Sequence, residues 1–205
     1  MSSPVKMLLP VAGVGGIGVG GGYYLLSDST TVRDKLKEEV KRLPRRILDR
    51  ESLAEWQEWK KVYKESSSKI EGVADEEQLP KWCVDTLSQK FDQSKYDLAL
   101  TWCVVNISTL SGEAASKGVR LLSTEGNGDK FKEAWQKLKT ASSTETSLTT
   151  TYAELLSSTV SDKNAGGPKL LTWCKDRYSW PMYKLNAKST LSEVERWCNE
   201  TQGNA

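Results

Sequence analysis

Apolar side chains recur along this chain at the spacing of helix faces. Trp56, Trp59 and Tyr63 lie at i, i+3 and i+7, which predicts an amphipathic helix from about Ser52. Ser52 and Glu55 have capping-box spacing at its start. Leu79, Cys83, Leu87 and Phe91 recur every four residues with Trp82 beside them, and Pro80 suits the first turn of that helix. A third helix is expected from Ser94, with Asp97 at the box position. Ala99 and Cys103 share one of its faces, and Leu98 and Trp102 another. No segment alternates with period two, and β-branched runs are short. The pattern predicts an all-α fold.

The same order then returns. Ala134 to Lys139 echoes Glu55 to Lys60, so Trp135 answers Trp56. Leu170, Trp173, Cys174 and Tyr178 match Leu79, Trp82, Cys83 and Leu87 position for position. Val194, Trp197 and Cys198 match Ala99, Trp102 and Cys103, with Thr190 and Glu193 expected to cap the last helix. Every cysteine follows a tryptophan, two such pairs in each half. This is the signature of a duplicated three-helix unit, packed as two bundles or one merged bundle. The expected boundaries are 51–125 for the first unit and 126–205 for the second, with the run Glu125-Gly126-Asn127-Gly128-Asp129 between them. Trp135 to Trp173 spans 38 residues against 26 from Trp56 to Trp82. The excess is a Ser/Thr-rich insertion over 140–161, where 13 of 22 residues are Ser or Thr, expected as a loop in which Tyr152, Leu155 and Leu156 can make a short helix.

Neighbouring helix positions point about 100° apart, so each Trp-Cys step covers a wide arc of its helix. Antiparallel packing of the second and third helices would let Cys83 meet Cys103 and Cys174 meet Cys198. Each bridge would contribute about 3 kcal/mol by closing its loop. The alternative is four free, buried cysteines. A zinc site lacks a Cys-x-x-Cys pair and any histidine. The aromatics Trp56, Trp59, Trp82, Trp102, Trp135, Trp173 and Trp197 are expected in the core. Trp180, beside Pro181 and near Tyr178 and Tyr183, is the candidate for an exposed contact residue.

The first 28 residues break the pattern. Met7 to Leu26 holds 20 residues without a charge, enough for a helix of about 30 Å. Lys6 precedes it, and Tyr23 and Tyr24 sit near its far end, so residues 1–28 are expected to be a retained, single-pass membrane anchor, with a cleaved signal peptide as the rival. Gly13 to Gly18 fits G-x-G-x-x-G, but no βαβ pattern surrounds it, so no nucleotide or other cofactor is expected. Gly16 with Gly20, or Gly18 with Gly22, would instead let two such helices approach and form a homo-oligomer. Residues 29–50 follow as a charged helix and linker, expected to be a solvated stalk ending near Pro44.

Charge narrows the function. The net charge is +2, with basic and acidic residues interspersed, so no nucleic-acid partner is expected. The chain contains no histidine, which removes Ser-His-Asp and Cys-His catalysis. Asp85, Asp97, Glu193 and Glu195 are the carboxylates an enzyme would need, but helix-face carboxylates are usually solvated, and a non-enzyme is expected. Asn106-Ile107-Ser108 and Asn199-Glu200-Thr201 fit the glycosylation sequon, a pattern that often arises by chance.

The Gly-rich apolar start, the Leu-x-x-Trp-Cys steps and the Trp-Gln-x-x-Lys helices together resemble the large paralogous families of uncharacterised proteins of haemotropic mycoplasmas, wall-less bacteria that live on red blood cells. The resemblance spans the whole chain and carries over no functional residue. It implies a surface antigen or an adhesion role, with the body outside the cell and a host protein or glycan as partner. Lys and Arg counted on either side of the apolar run favour the opposite orientation, an inward-facing helical scaffold that holds another membrane or cytoplasmic protein.

Overall fold

The structure is a computed structural model and describes residues 30–203. The fold is mostly helical. The anchor or signal segment expected over 1–28 lies outside the described residues. Among the described residues, no helix is long and apolar enough to cross a membrane.

Two clusters of buried side chains organise the chain. The first draws on α1 (Val32–Val40), strand β1 (Arg45–Ile47), α2 (Trp56–Glu65), α3 (Leu79–Ser88), α4 (Gln93–Trp102) and strand β2 (Val104–Asn106). The second draws on α5 (Leu110–Ser116), α6 (Gly128–Ala141), α7 (Ser147–Thr151), α8 (Ala153–Leu156), α9 (Lys163–Tyr178) and α10 (Ala187–Trp197), with the short α11 (Glu200–Gly203) closing the described chain.

Of the stalk expected over 29–50, the described part, residues 30–50, packs on the first core instead of standing in solvent. Val32, Leu36 and Leu48 are fully buried in the first core. Two apolar side chains one turn apart suffice to fix α1, and burying each such side chain stabilises by about 1.5–3 kcal/mol. Thr31 caps α1 in a box with Asp34. The antiparallel pair β1–β2 is a short sheet that the helical pattern does not announce. Likewise, Leu110, Ala114 and Leu122 lie N-terminal to residue 126 yet belong to the second core. The cores therefore divide the chain between Val105 and Leu110 rather than at 125.

The same bonds hold both units together. Cys83 is bonded to Cys103 and Cys174 to Cys198, with Cα atoms 5.5 and 6.0 Å apart. The Leu48 amide donates to the Cys103 carbonyl at 2.8 Å, and the Leu122 amide to the Cys198 carbonyl at 2.7 Å. The Val32 amide donates to the Gln89 carbonyl, and the Leu110 amide to the Trp180 carbonyl. Phe91 N–H reaches the Thr30 carbonyl and Met182 N–H the Ser108 carbonyl, both at 2.9 Å. Thr31 caps α1 and Thr109 caps α5. Trp56 and Trp135, which echo each other in the sequence, are both buried, as are Tyr63 in α2 and Phe131 and Leu138 in α6.

Several local expectations give way. Ser52 and Glu55 form no capping box; the Glu55 carboxylate pairs with Arg46 and is buried. Asp92, not Ser94, caps α4. Leu98 is exposed, because α4 turns its Ala99–Cys103 face inward. Asn186, in the left-handed region at φ 64°, starts α10, and Thr190 is buried within it. The Ser/Thr-rich insertion is no solvent loop: Leu148, Tyr152, Leu155, Leu156 and Val160 are all buried in the second core.

Candidate binding cleft

Four of the seven expected core tryptophans, Trp56, Trp102, Trp135 and Trp197, are buried. Trp59, Trp82 and Trp173 are half-buried and flank the cores. Three indoles use their polar edges: Trp56 Nε1 donates to the Arg50 carbonyl at 2.9 Å, Trp59 Nε1 to the Trp102 carbonyl at 2.8 Å, and Trp135 Nε1 to the Leu155 carbonyl at 2.8 Å. The last of these bonds ties α6 to the inserted helix α8.

That insertion makes a feature the first unit lacks. Residues 66–78 join α2 to α3 with no helix between them, whereas α7 and α8 stand between α6 and α9. The cleft between α8 and α9 has a volume of about 720 Å³. Leu155, Pro168 and Trp173 give it apolar walls, and Glu154, Lys169, Asp176 and Arg177 supply charges of both signs. A neighbouring hollow of about 310 Å³ shares Glu154, Leu155, Trp173 and Arg177 with it.

Arg177 is the centre of the arrangement. One helical turn after Trp173, its guanidinium lies 4.1 Å from that ring centroid and 5.4 Å from the Trp180 centroid. Such cation–π contacts stabilise by about 0.5–2 kcal/mol each. Its Nη1 also donates to the Trp173 carbonyl at 3.2 Å. Burial pushes the Arg177 guanidinium below its ordinary pKa, with Asp176 pulling the other way. Tyr152 meets Trp173 edge-on at 5.6 Å, and burial raises its phenol. Burial likewise raises the Glu193 carboxyl, while Arg177 opposes the shift. Trp180 is half-buried rather than open: the Lys184 ammonium sits 3.5 Å from its centroid.

The cleft is of a size that binds a small molecule or a peptide side chain. Its hydroxyls are engaged locally, Thr172 with the Pro168 carbonyl and Ser157 with Thr159.

The other sequence candidates are scattered. Asp85 pairs with Lys81, Asp97 accepts from Gln93, and Glu195 pairs with Lys117, each at 2.8 Å. Only Glu193 approaches the Arg177 cluster. The sequon amides are occupied: Asn106 donates to Glu113 at 3.1 Å, and Asn199 to the Glu195 carbonyl at 2.5 Å. Among the described residues, no group of side chains could hold a metal ion.

Sequence reasoning missed Arg177, Lys169 and Glu154. The Trp173-Arg177 spacing of i, i+4 was the available signal; Glu154 and Lys169 carried none. Comparison of the chain with protein-family models, with curated proteins and with solved structures found no match.

Proposed function

We propose that the chain is a non-enzymatic surface protein, tethered by residues 1–28 as a single-pass anchor, with a body made of a duplicated helical unit outside the cell. The two cystines carry this reading, since disulfides persist in oxidising compartments. One bridge lies in each core, so an exported body would gain stability twice over. The uncharged run Met7–Leu26 supports tethering. The resemblance to haemotropic mycoplasma families supports host contact or antigenic variation, with a host protein or glycan as partner. The cleft between α8 and α9 is where such a partner's side chain would seat.

Protease added to intact cells is expected to remove the body. Full protection in intact cells, with digestion only after lysis, would overturn the outward orientation.

A second reading has its own observation. Arg33, Lys35, Lys37, Lys41, Arg42, Arg45 and Arg46 follow the apolar run, which favours an inward-facing scaffold for another protein. That reading requires reduced Cys83 and Cys103 in freshly alkylated cells, and mass mapping of blocked thiols separates the two.

A further inference from the structure

The turn from α1 into β1 reads Lys41-Arg42-Leu43-Pro44-Arg45-Arg46. Leu43 is 44% exposed, among the most exposed large apolar side chains of the described residues. The Ile107 amide donates to the Pro44 carbonyl at 2.8 Å, which sets the Ile107 backbone beside the Leu43–Pro44 step. Ile107 is itself 45% exposed. The end of the two-stranded sheet thus carries two exposed apolar side chains, with cations on both sides of Leu43 in the chain. Lys41 reaches only the exposed Glu38 at 3.8 Å, and Arg46 pairs with Glu55. Among the described residues, Arg42 and Arg45 form no ion pair.

We propose that this tip docks on an anionic lipid surface. Two apolar side chains would enter the interface while Arg42, Arg45 and Lys41 meet headgroup phosphates. Each cation near such a surface adds roughly fivefold to partitioning. An acidic protein or a nucleic acid would also attract the arginines, but it gives no reason for Leu43 and Ile107 to stand between them. The chain's course favours lipid as well. The uncharged run ends at Leu26 and α1 begins at Val32, so five residues and then α1, of nine residues and about 14 Å, are all the chain that lies between the tip and that run. The second unit has Lys117, Gly118 and Val119 at the corresponding turn, with Lys117 held by Glu195. The tip is therefore a property of the first unit alone. The inference does not depend on which way the body faces.

The test uses the full chain with an environment-sensitive fluorophore on L43C, and on I107C as a second reporter. It is reconstituted in vesicles of phosphatidylcholine alone, or of phosphatidylcholine with phosphatidylglycerol. A blue-shifted, brighter emission in the anionic vesicles only, absent for the same fluorophore on S158C, is the expected result. R42Q/R45Q should lower the docked-to-free ratio by roughly 30-fold. Equal spectra in the two lipids, or a shift that survives R42Q/R45Q, overturns the proposal. So does a shift produced by polyglutamate or duplex DNA but not by anionic lipid. Failure of the full chain to enter either vesicle would instead count against the anchor.

Discussion

At the residue scale, the tightest fit in the molecule is between a glycine and an indole. A Cβ on Gly166 would lie 2.0 Å from Trp135 Cε2, and one on Gly167 would lie 2.9 Å from the Lys132 backbone. The pair lets α9 approach α6 closely. The indole cannot give way cheaply, because Nε1 is committed to the Leu155 carbonyl and the ring is 1% exposed. Helix propensity alone favours Ala over Gly by about 0.5–1 kcal/mol. Overpacking costs about 1–3 kcal/mol and should win. Gly166→Ala is therefore expected to lower stability in urea melts, and a gain in midpoint would show that Trp135 has room to move.

At the element scale, the parts of the fold visible in the sequence were those whose own periodicity is strong. The runs through Trp56 and Tyr63, Leu79 to Leu87, and Val194 to Trp197 all became helices, and the adjacent Trp and Cys positions brought the sulfurs together. Helix α1 reads as solvated in the sequence because charged residues fill most of it, and only Val32, Leu36 and the half-buried Val40 turn toward the core. The β1–β2 pair was invisible because three residues per strand are too few to alternate. The insertion misled in a different way. Leu148, Tyr152, Leu155 and Leu156 have the spacing i, i+4, i+7 and i+8 of one helix face, but the hydroxyl side chains around them dominate the composition. Many of those hydroxyls bond carbonyls of their own segment, such as Thr149 to Thr146 and Thr151 to Ser147, so they are satisfied locally beside the buried apolar face. The cleft was illegible for a further reason: its walls come from elements whose contact depends on that misread packing. Leu155, 4% exposed, separates the two views. A surface loop tolerates Leu155→Ala within about 0.5 kcal/mol. A core position loses about 2–5 kcal/mol, and chemical denaturation is expected to return the larger value.

At the scale of the whole molecule, each bridge lies inside one core, and no cystine joins the two. Cys83–Cys103 closes a separation of 20 residues and Cys174–Cys198 one of 24, so the loop-entropy model assigns each about 3 kcal/mol. The units still touch: Tyr183, from the turn before α10, packs against the first core, and Asn106 of β2 donates to Glu113 of α5 at 3.1 Å. These contacts are few beside the helix packing within a unit, so coupling across the junction should be weaker than cohesion within either core. The double variant C83S/C103S is then expected to speed amide exchange in α2 to α4 while α6, α9 and α10 keep their protection. C174S/C198S should give the reverse. The second unit has an additional reserve, because Trp135, Leu155 and Val160 tie the insertion to α6 and the second core independently of the sulfur bridge. Its variant should consequently stay folded to higher denaturant than the first. Exchange mapped by mass spectrometry reads both units in one sample. Uniform loss of protection across 30–203 in either variant would mean that the two cores melt as one, and that the junction, rather than the cystines, sets the stability of the body.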